Sequence, residues 1–139
     1  MSKIDLSIII VNYKCWEVLA RCLESFIKYK PHTSYEIIVV DNDSQDGKFN
    51  NFKQQFHEIK LIANKGNYGF SSGCNLGADN AKGEYLLFLN NSFAATSRQI
   101  DKSFPFLKPD FSIALIINFR AFSLSFIIGA KPPSSPTEV

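Results

Sequence analysis

The sequence predicts an α/β fold, a three-layer, doubly wound sandwich around a mostly parallel sheet built from residues 4–92. Two observations carry this. Short runs of branched apolar residues alternate with segments of helical periodicity, the order that βαβ units with right-handed crossovers produce. Every apolar run also stops abruptly at polar residues: Asn12-Tyr13, Asp41-Asn42-Asp43-Ser44, Asn64 to Gly69, and Asn90-Asn91-Ser92. In parallel strands those ends converge on one edge, where open α/β sheets bind their ligands. Composition agrees, since 139 residues with 45% hydrophobic and 20% charged make one globular domain with a sizeable core.

Leu6 to Val11 is the first strand, short and apolar enough to be buried on both faces. From about Glu17 the residues Val18, Leu19, Cys22, Leu23, Phe26 and Ile27 fall on one face of an amphipathic helix that Pro31 stops. Tyr35 to Val40 forms the second strand, with four consecutive branched residues. Ser44, Asp46 and Gly47 open a polar helix with Phe49, Phe52 and Phe56 at spacings of three and four. Ile59 to Ala63 is the third strand, followed by a loop rich in residues that tolerate positive φ. Gly73 and Gly77 share a face of the next helix and let it approach the sheet, and Gly83 reads as its C-cap. Glu84 to Leu89 is the fourth strand.

After Ser92 the pattern changes, and three parts are expected: 1–92, a diverged continuation over 93–130 on the same domain, and a disordered tail over 131–139. Ile100, Phe104 and Leu107 suggest a short helix interrupted by Pro105 and Pro109. Phe111 to Ile128 is strongly apolar, but Arg120 inside it would cost about 2.5–3.5 kcal/mol in a membrane helix. Buried strands, or a surface that meets a partner or a bilayer, are the better reading. An apolar run of this kind cannot stay exposed in a monomer and is expected to pack on the sheet or on a dimer mate, and the edge or face that an incomplete domain leaves uncovered favours a homodimer.

Several function classes are excluded. A net charge of +2 without a basic patch argues against nucleic acid. The three cysteines, Cys15, Cys22 and Cys74, form no CxxC or zinc spacing and read as reduced thiols. His32 and His57 have no companions at metal-ligand spacing. Neither GxGxxG nor GxxxxGK[ST] follows the first strand, which argues against a dinucleotide fold and a P-loop. No secretory signal is recognisable.

What the strand ends offer is equipment for a nucleotide: an aromatic ring, acceptors for a base or ribose, and loop N–H groups for phosphates. Asp41 is the carboxylate among them, although turn and cap residues at that position are the blander explanation. Tyr13 could stack a base or simply pack. Lys14 could reach a phosphate, but a solvated lysine is the better reading.

Ser7 to Tyr13, Cys22-Leu23-Glu24-Ser25, Glu36 to Gly47, Asn67-Tyr68-Gly69-Phe70, Gly73 to Gly77 and Ala81 to Asn90 together resemble family 2 glycosyltransferases of the GT-A fold, rhamnosyltransferase-like members in particular. The resemblance covers roughly residues 6–92, the half of such a domain that binds the nucleotide sugar. It implies that Val11 and Tyr13 line the base pocket and that Asp41, with Asn42 and Ser44 beside it, serves a uracil or thymine base. It places Asn67, Gly69 and Asn75 along the ribose and diphosphate of a UDP- or dTDP-sugar. It further implies Mg²⁺ or Mn²⁺ on the leaving diphosphate, transfer with inversion to a glycan or lipid-linked acceptor, and a carboxylate base for the acceptor hydroxyl. The setting would be polysaccharide synthesis, in the cytoplasm at the inner membrane face, with peripheral membrane contact.

Two departures stand against full activity. The family ends its fourth strand in a DxD-like motif, and here the corresponding residues are Asn90, Asn91 and Ser92, which lack the metal-binding carboxylate. Among the later acids, Asp101, Asp110 and Glu138, none stands in the context of a base, and the change after Ser92 suggests a truncated or rearranged frame. The alternative is therefore a catalytically inactive nucleotide- or nucleotide-sugar-binding module or remnant. A receiver-like domain with Asp41 as phosphoacceptor is a poor third, because Asn12-Tyr13 supplies no acidic pair.

Overall fold

Seven residues, all buried but the half-buried Val11, form the central strand β1 (Leu6–Asn12). The computed structural model describes residues 3–91, 115–119 and 124–130. β1 pairs in parallel with β2 (Tyr35–Asp41) on one side and with β4 (Tyr85–Asn90) on the other. The short β3 (Lys60–Ala63) adds in parallel to β2. Beyond β4 the sheet turns antiparallel, with β6 (Leu124–Ala130) on β4 and β5 (Leu115–Phe119) on β6, giving the order β3-β2-β1-β4-β6-β5. The expected strands within 111–128 thus exist, as an antiparallel extension of the same sheet.

Helices cover both faces. α1 (Trp16–Lys28) and α2 (Phe49–Gln55) lie on one side. There Trp16, Leu19, Cys22, Leu23, Phe26, Phe52 and Phe56 pack on Leu6, Ile8, Ile10, Ile37 and Val39. Burying each such side chain contributes roughly 1.5–3 kcal/mol, and the cluster is the larger of the two. Phe52 links Trp16 and Phe56, with ring centroids 4.9 and 4.7 Å away. The opposite face of β1 and β2, with Ile9, Ile38 and Val40, meets α3 (Phe70–Asp79) and the turn after it through Leu76, Ala78 and Ala81. Two helices on one side and one on the other make the sheet doubly wound.

The outer residues of the α1 stripe face outward: Val18 is half-buried and Ile27 is 57% exposed. The apolar residues come in adjacent pairs 100° apart on a helix, so the stripe is wider than the contact and its edges stay out. Gly77 is where α3 closes on the sheet, since a Cβ there would sit 2.4 Å from Ile9 Cγ2. Gly83 is not the C-cap expected of it, because α3 ends at Asp79 with Asn80 in that place. Its task is contact: a Cβ at Gly83 would lie 2.5 Å from the backbone nitrogen of Ser7, and its own N–H donates to Ser7 Oγ at 2.8 Å.

No helix among the described residues is long and apolar enough to cross a membrane. The helix expected around Ile100 to Leu107, the position Ser92 and the tail 131–139 lie outside the described residues.

Candidate functional site

Strand register builds the site. Asn12 stands opposite Asp41, Val11 opposite Asn90, and Asp41 opposite Ala63, so the four parallel strands end almost level. The chain winds from β1 outward to β3 over one face and then returns to β4 over the other. That reversal lies between β1 and β4, and it is beyond the carboxyl ends at such a switch point that these folds take ligands.

Because side chains alternate, the rim residues divide between the two faces. Asn12 and Asp41 follow Ile10 and Val39 on the α1–α2 side, where both are buried. Asn12 Nδ2 donates to Asp41 Oδ1 at 2.9 Å, the Ser44 hydroxyl donates to the same oxygen, and Ser44 N–H donates to Asp41 Oδ2 at 3.1 Å. Ser44 Oγ in turn accepts the backbone N–H of Lys14 at 2.8 Å. Asp41 thus ties the loop after β1 to the loop after β2, and three donors occupy most of the roughly four lone-pair sites of a carboxylate. The carboxylate only accepts, which sets the Asn12 amide with its nitrogen toward Asp41. That leaves Asn12 Oδ1 buried with no hydrogen-bond partner among the described residues.

Val11 and Asn42 turn to the α3 side. Asn42 Nδ2 donates to the carbonyl of Gly69 at 3.0 Å, and Asn42 Oδ1 accepts from Asn64 Nδ2 at 3.0 Å. The loop 64–69 is thereby fastened to the end of β2. Gly73 brings the first turn of α3 onto these two residues, because a Cβ there would sit 2.8 Å from Val11 Cγ1 and 3.1 Å from Asn42 Oδ1. Gly69 enters α3 with φ 88°, a left-handed conformation glycine adopts readily. No side chain caps this helix, so the N–H groups of its first turn have no partner of that kind. Asn67 Oδ1 accepts the Gly69 N–H at 3.2 Å, and both Asn67 and Asn75 are exposed.

Aromatic rings stand outside this bracing. Tyr13 is 43% exposed, Tyr68 69% and Phe70 53%, which is unusual for rings that would serve a core. The Lys14 ammonium lies 5.1 Å from the Tyr13 ring centroid, within reach of a cation–π contact. Among the described residues three non-glycine residues have positive φ, Lys14 at 55°, Asp43 at 60° and Gln45 at 50°, and all three lie in the loops after β1 and β2. Backbone strain of this kind gathers where a surrounding network holds it, and the Asp41–Ser44–Lys14 chain is that network.

The structure brings together Val11, Asp41, Asn42 and Ser44 with the Gly69 end of the loop, and presents Tyr13, Asn67 and Asn75 to solvent near it. Asn12 and Asn64 join the group although neither was singled out as a site residue. An amide at the end of each apolar run was the signal for both. Asp46 is a further link, accepting from Trp16 Nε1 at 2.8 Å and so joining the start of α1 to the loop before α2.

The divalent metal implied by the resemblance does not fit the described residues. The end of β4 offers the amides of Asn90 and Asn91 and no carboxylate, and hard cations prefer charged oxygen ligands. Among the described residues no group of three or more His, Cys, Asp or Glu side chains could hold a metal ion. Cys22 and Cys74 are no substitute: burial pushes Cys22 up to about 12 and Cys74 up to about 11, away from the thiolate that binds metals.

Comparison with solved structures places this rim in a known setting. Residues 1–349 of S. aureus TarS share 22% identity and a TM-score of 0.64 over 74% of this chain and 32% of that one. The same protein in complex with UDP-GlcNAc superposes with a TM-score of 0.65, again at 22% identity, over 74% of this chain and 31% of that one. The mannosyltransferase PcManGT from Pyrobaculum calidifontis, in complex with GDP-Man and Mn²⁺, shares 16% identity and a TM-score of 0.66 over 82% of this chain and 35% of that one. At these identities the likeness is one of fold, and the chain spans about a third of the length of each. No curated protein sequence matches it. Residues 7–123 match the family model described as glycosyl transferase family 2. With that match over most of its length, the chain belongs to glycosyl transferase family 2.

Proposed function

We propose that this chain binds a nucleoside-diphospho-sugar in the crevice at its strand ends and acts as the donor half of a sugar transfer. The acceptor would be a glycan or a lipid-linked glycan, with inversion at the anomeric carbon. The setting is polysaccharide synthesis on the cytoplasmic side of a membrane. The observation that carries the reading is the clamp on Asn42, which fixes the loop 64–69 and the uncapped start of α3 to the end of β2, on the same strand-end edge that Tyr13 follows with its ring exposed. TarS in complex with UDP-GlcNAc and PcManGT in complex with GDP-Man share this fold and support a nucleotide sugar as the ligand class.

The residues divide the work. Tyr13 stacks the base, Val11 forms the apolar floor, and Asn42 keeps one amide hydrogen and one lone pair for the base edge. Asp41 and Ser44 hold the two loops in place, and the carboxylate has one remaining lone pair to turn to the ligand. Asn67, Gly69 and Asn75 flank the ribose and diphosphate, whose negative charge suits the N–H groups at the start of α3.

Calorimetric titration with UDP, dTDP, GDP and ADP tests this. One of them should bind, and Tyr13→Ala should weaken it by about 1–3 kcal/mol, the usual worth of a base on an aromatic ring. A wild-type chain that binds none at millimolar concentration rejects the reading. The lack of a carboxylate at the end of β4 favours a second possibility, a donor-binding module without turnover. Transfer of labelled sugar from the bound donor to any acceptor, water included, would eliminate that one.

A further inference from the structure

We propose that Lys14 takes the place of the metal, neutralising the donor diphosphate in a site that binds its nucleotide without a divalent cation. The inference rests on the nucleotide-sugar reading above and assigns the charge-bearing residue within that site.

A diphosphate brings at least two negative charges to a rim that already holds three. Asp41 accepts from Asn12 and Ser44, Asp43 from Gln45 Nε2 at 2.7 Å, and Asp46 from Trp16 Nε1 and the Lys48 N–H. All three carboxylates are bound by neutral donors of the chain, so none is compensated by a cation and none is grouped with others to recruit a metal. Like charge at close range raises the cost of bringing in a phosphate. Something positive has to meet it.

Lys14 meets the requirement in three ways. Its backbone N–H is the last link of the Asp41–Ser44 chain, and that bond holds it in a left-handed conformation with φ 55°. The side chain therefore leaves the rim in a direction set by the buried network. No carboxylate pairs with its ammonium among the described residues, where Lys3–Glu84 is the ion pair. What the ammonium does contact is Tyr13, 5.1 Å from the ring centroid, on one face of the ring proposed to stack the base. A base on the other face places its own diphosphate within the sweep of a flexible four-carbon stem. Lysine commonly serves phosphates as such a point charge.

The test is calorimetric titration of the full chain with the nucleotide that binds it best, in EDTA and in Mn²⁺, for wild type, Lys14→Gln and Lys14→Arg. Urea midpoints confirm that the exposed substitutions leave the fold intact. The expected result is equal wild-type affinity, within twofold, with and without metal. Lys14→Gln should bind at least tenfold more weakly, with a shallower dependence on salt, and Lys14→Arg should bind within a few-fold of wild type. The nucleoside without its phosphates, used as a competitor, should inhibit wild type and Lys14→Gln alike. A tenfold gain from Mn²⁺, or an unchanged affinity in Lys14→Gln, overturns the proposal while the donor site stands. Binding of no nucleotide by wild type overturns both.

Discussion

Replacing Asp41 by asparagine tests whether the buried carboxylate braces the rim. In the native arrangement Asp41 Oδ1 receives Asn12 Nδ2 and the Ser44 hydroxyl, and Oδ2 receives the Ser44 N–H. An asparagine supplies one carbonyl oxygen and one NH₂. With its oxygen toward Asn12, two bonds survive and the NH₂ confronts the Ser44 N–H, donor against donor. Flipped, it confronts Asn12 and loses both bonds to that oxygen. The better orientation leaves one buried donor unmet, worth about 1–3 kcal/mol. It also turns two charge-assisted bonds into neutral ones of roughly half the strength. Together these predict a loss of about 2–4 kcal/mol in the free energy of unfolding. Urea denaturation followed by circular dichroism reads this as a lower midpoint at unchanged slope. Ser44→Ala should cost about 1–2 kcal/mol, because it removes one donor to Asp41 and the acceptor of the Lys14 N–H. A loss below about 0.5 kcal/mol in Asp41→Asn would refute the bracing role. If that small loss came with abolished nucleotide binding, Asp41 would instead belong to the ligand.

Three further predictions concern packing and the thiols. Gly83→Ala should cost about 2–4 kcal/mol, because its Cβ meets the backbone of Ser7 and Leu6 on the central strand, which cannot rotate aside as a side chain would. A thermal midpoint within a degree or two of wild type would contradict the contact. Iodoacetamide at pH 8 should modify Cys15, which is exposed, and leave Cys22 untouched until the chain unfolds, as mass spectrometry of the peptides would show. The same burial has a pH consequence. Cys22 stands near 12 in the folded chain against an ordinary value of 9.0, so its share of stability is whole below pH 9 and is lost as the pH rises from there toward 12. Cys22→Ala should flatten that alkaline decline, and an unchanged slope between pH 9 and 11 would count against it.

The four parallel strands were legible because each is an unbroken apolar run with a polar stop, and the helices because their apolar residues recur at helical spacing. The same feature that makes a strand legible hides the division of labour at its end. In Ile37-Ile38-Val39-Val40 every residue is apolar, since both faces of the sheet are covered. A strand with one wet face would announce by alternation which side Asp41 joins. This one does not, and the sequence leaves Asp41 open between a carboxylate held out toward a ligand and a turn or cap residue. The structure shows that Asp41 lies with Ile37 and Val39 beneath α1 and α2 and that Asn42 lies on the α3 side, clamped to Gly69. Partners 29 residues apart, such as Asn12 and Asp41, meet only through parallel register, which sequence periodicity does not encode. The hold on the Lys14 backbone is hidden for the same reason. Nothing in Asn12-Tyr13-Lys14-Cys15 says that the lysine backbone is held by a serine thirty residues on, and without that hold a surface lysine is an ordinary solvated charge. At a doubly covered sheet edge, polar residues in succession are therefore assigned to opposite tasks by the parity of the strand. A binding site inferred from such an edge should be divided by face before any residue in it is given a role.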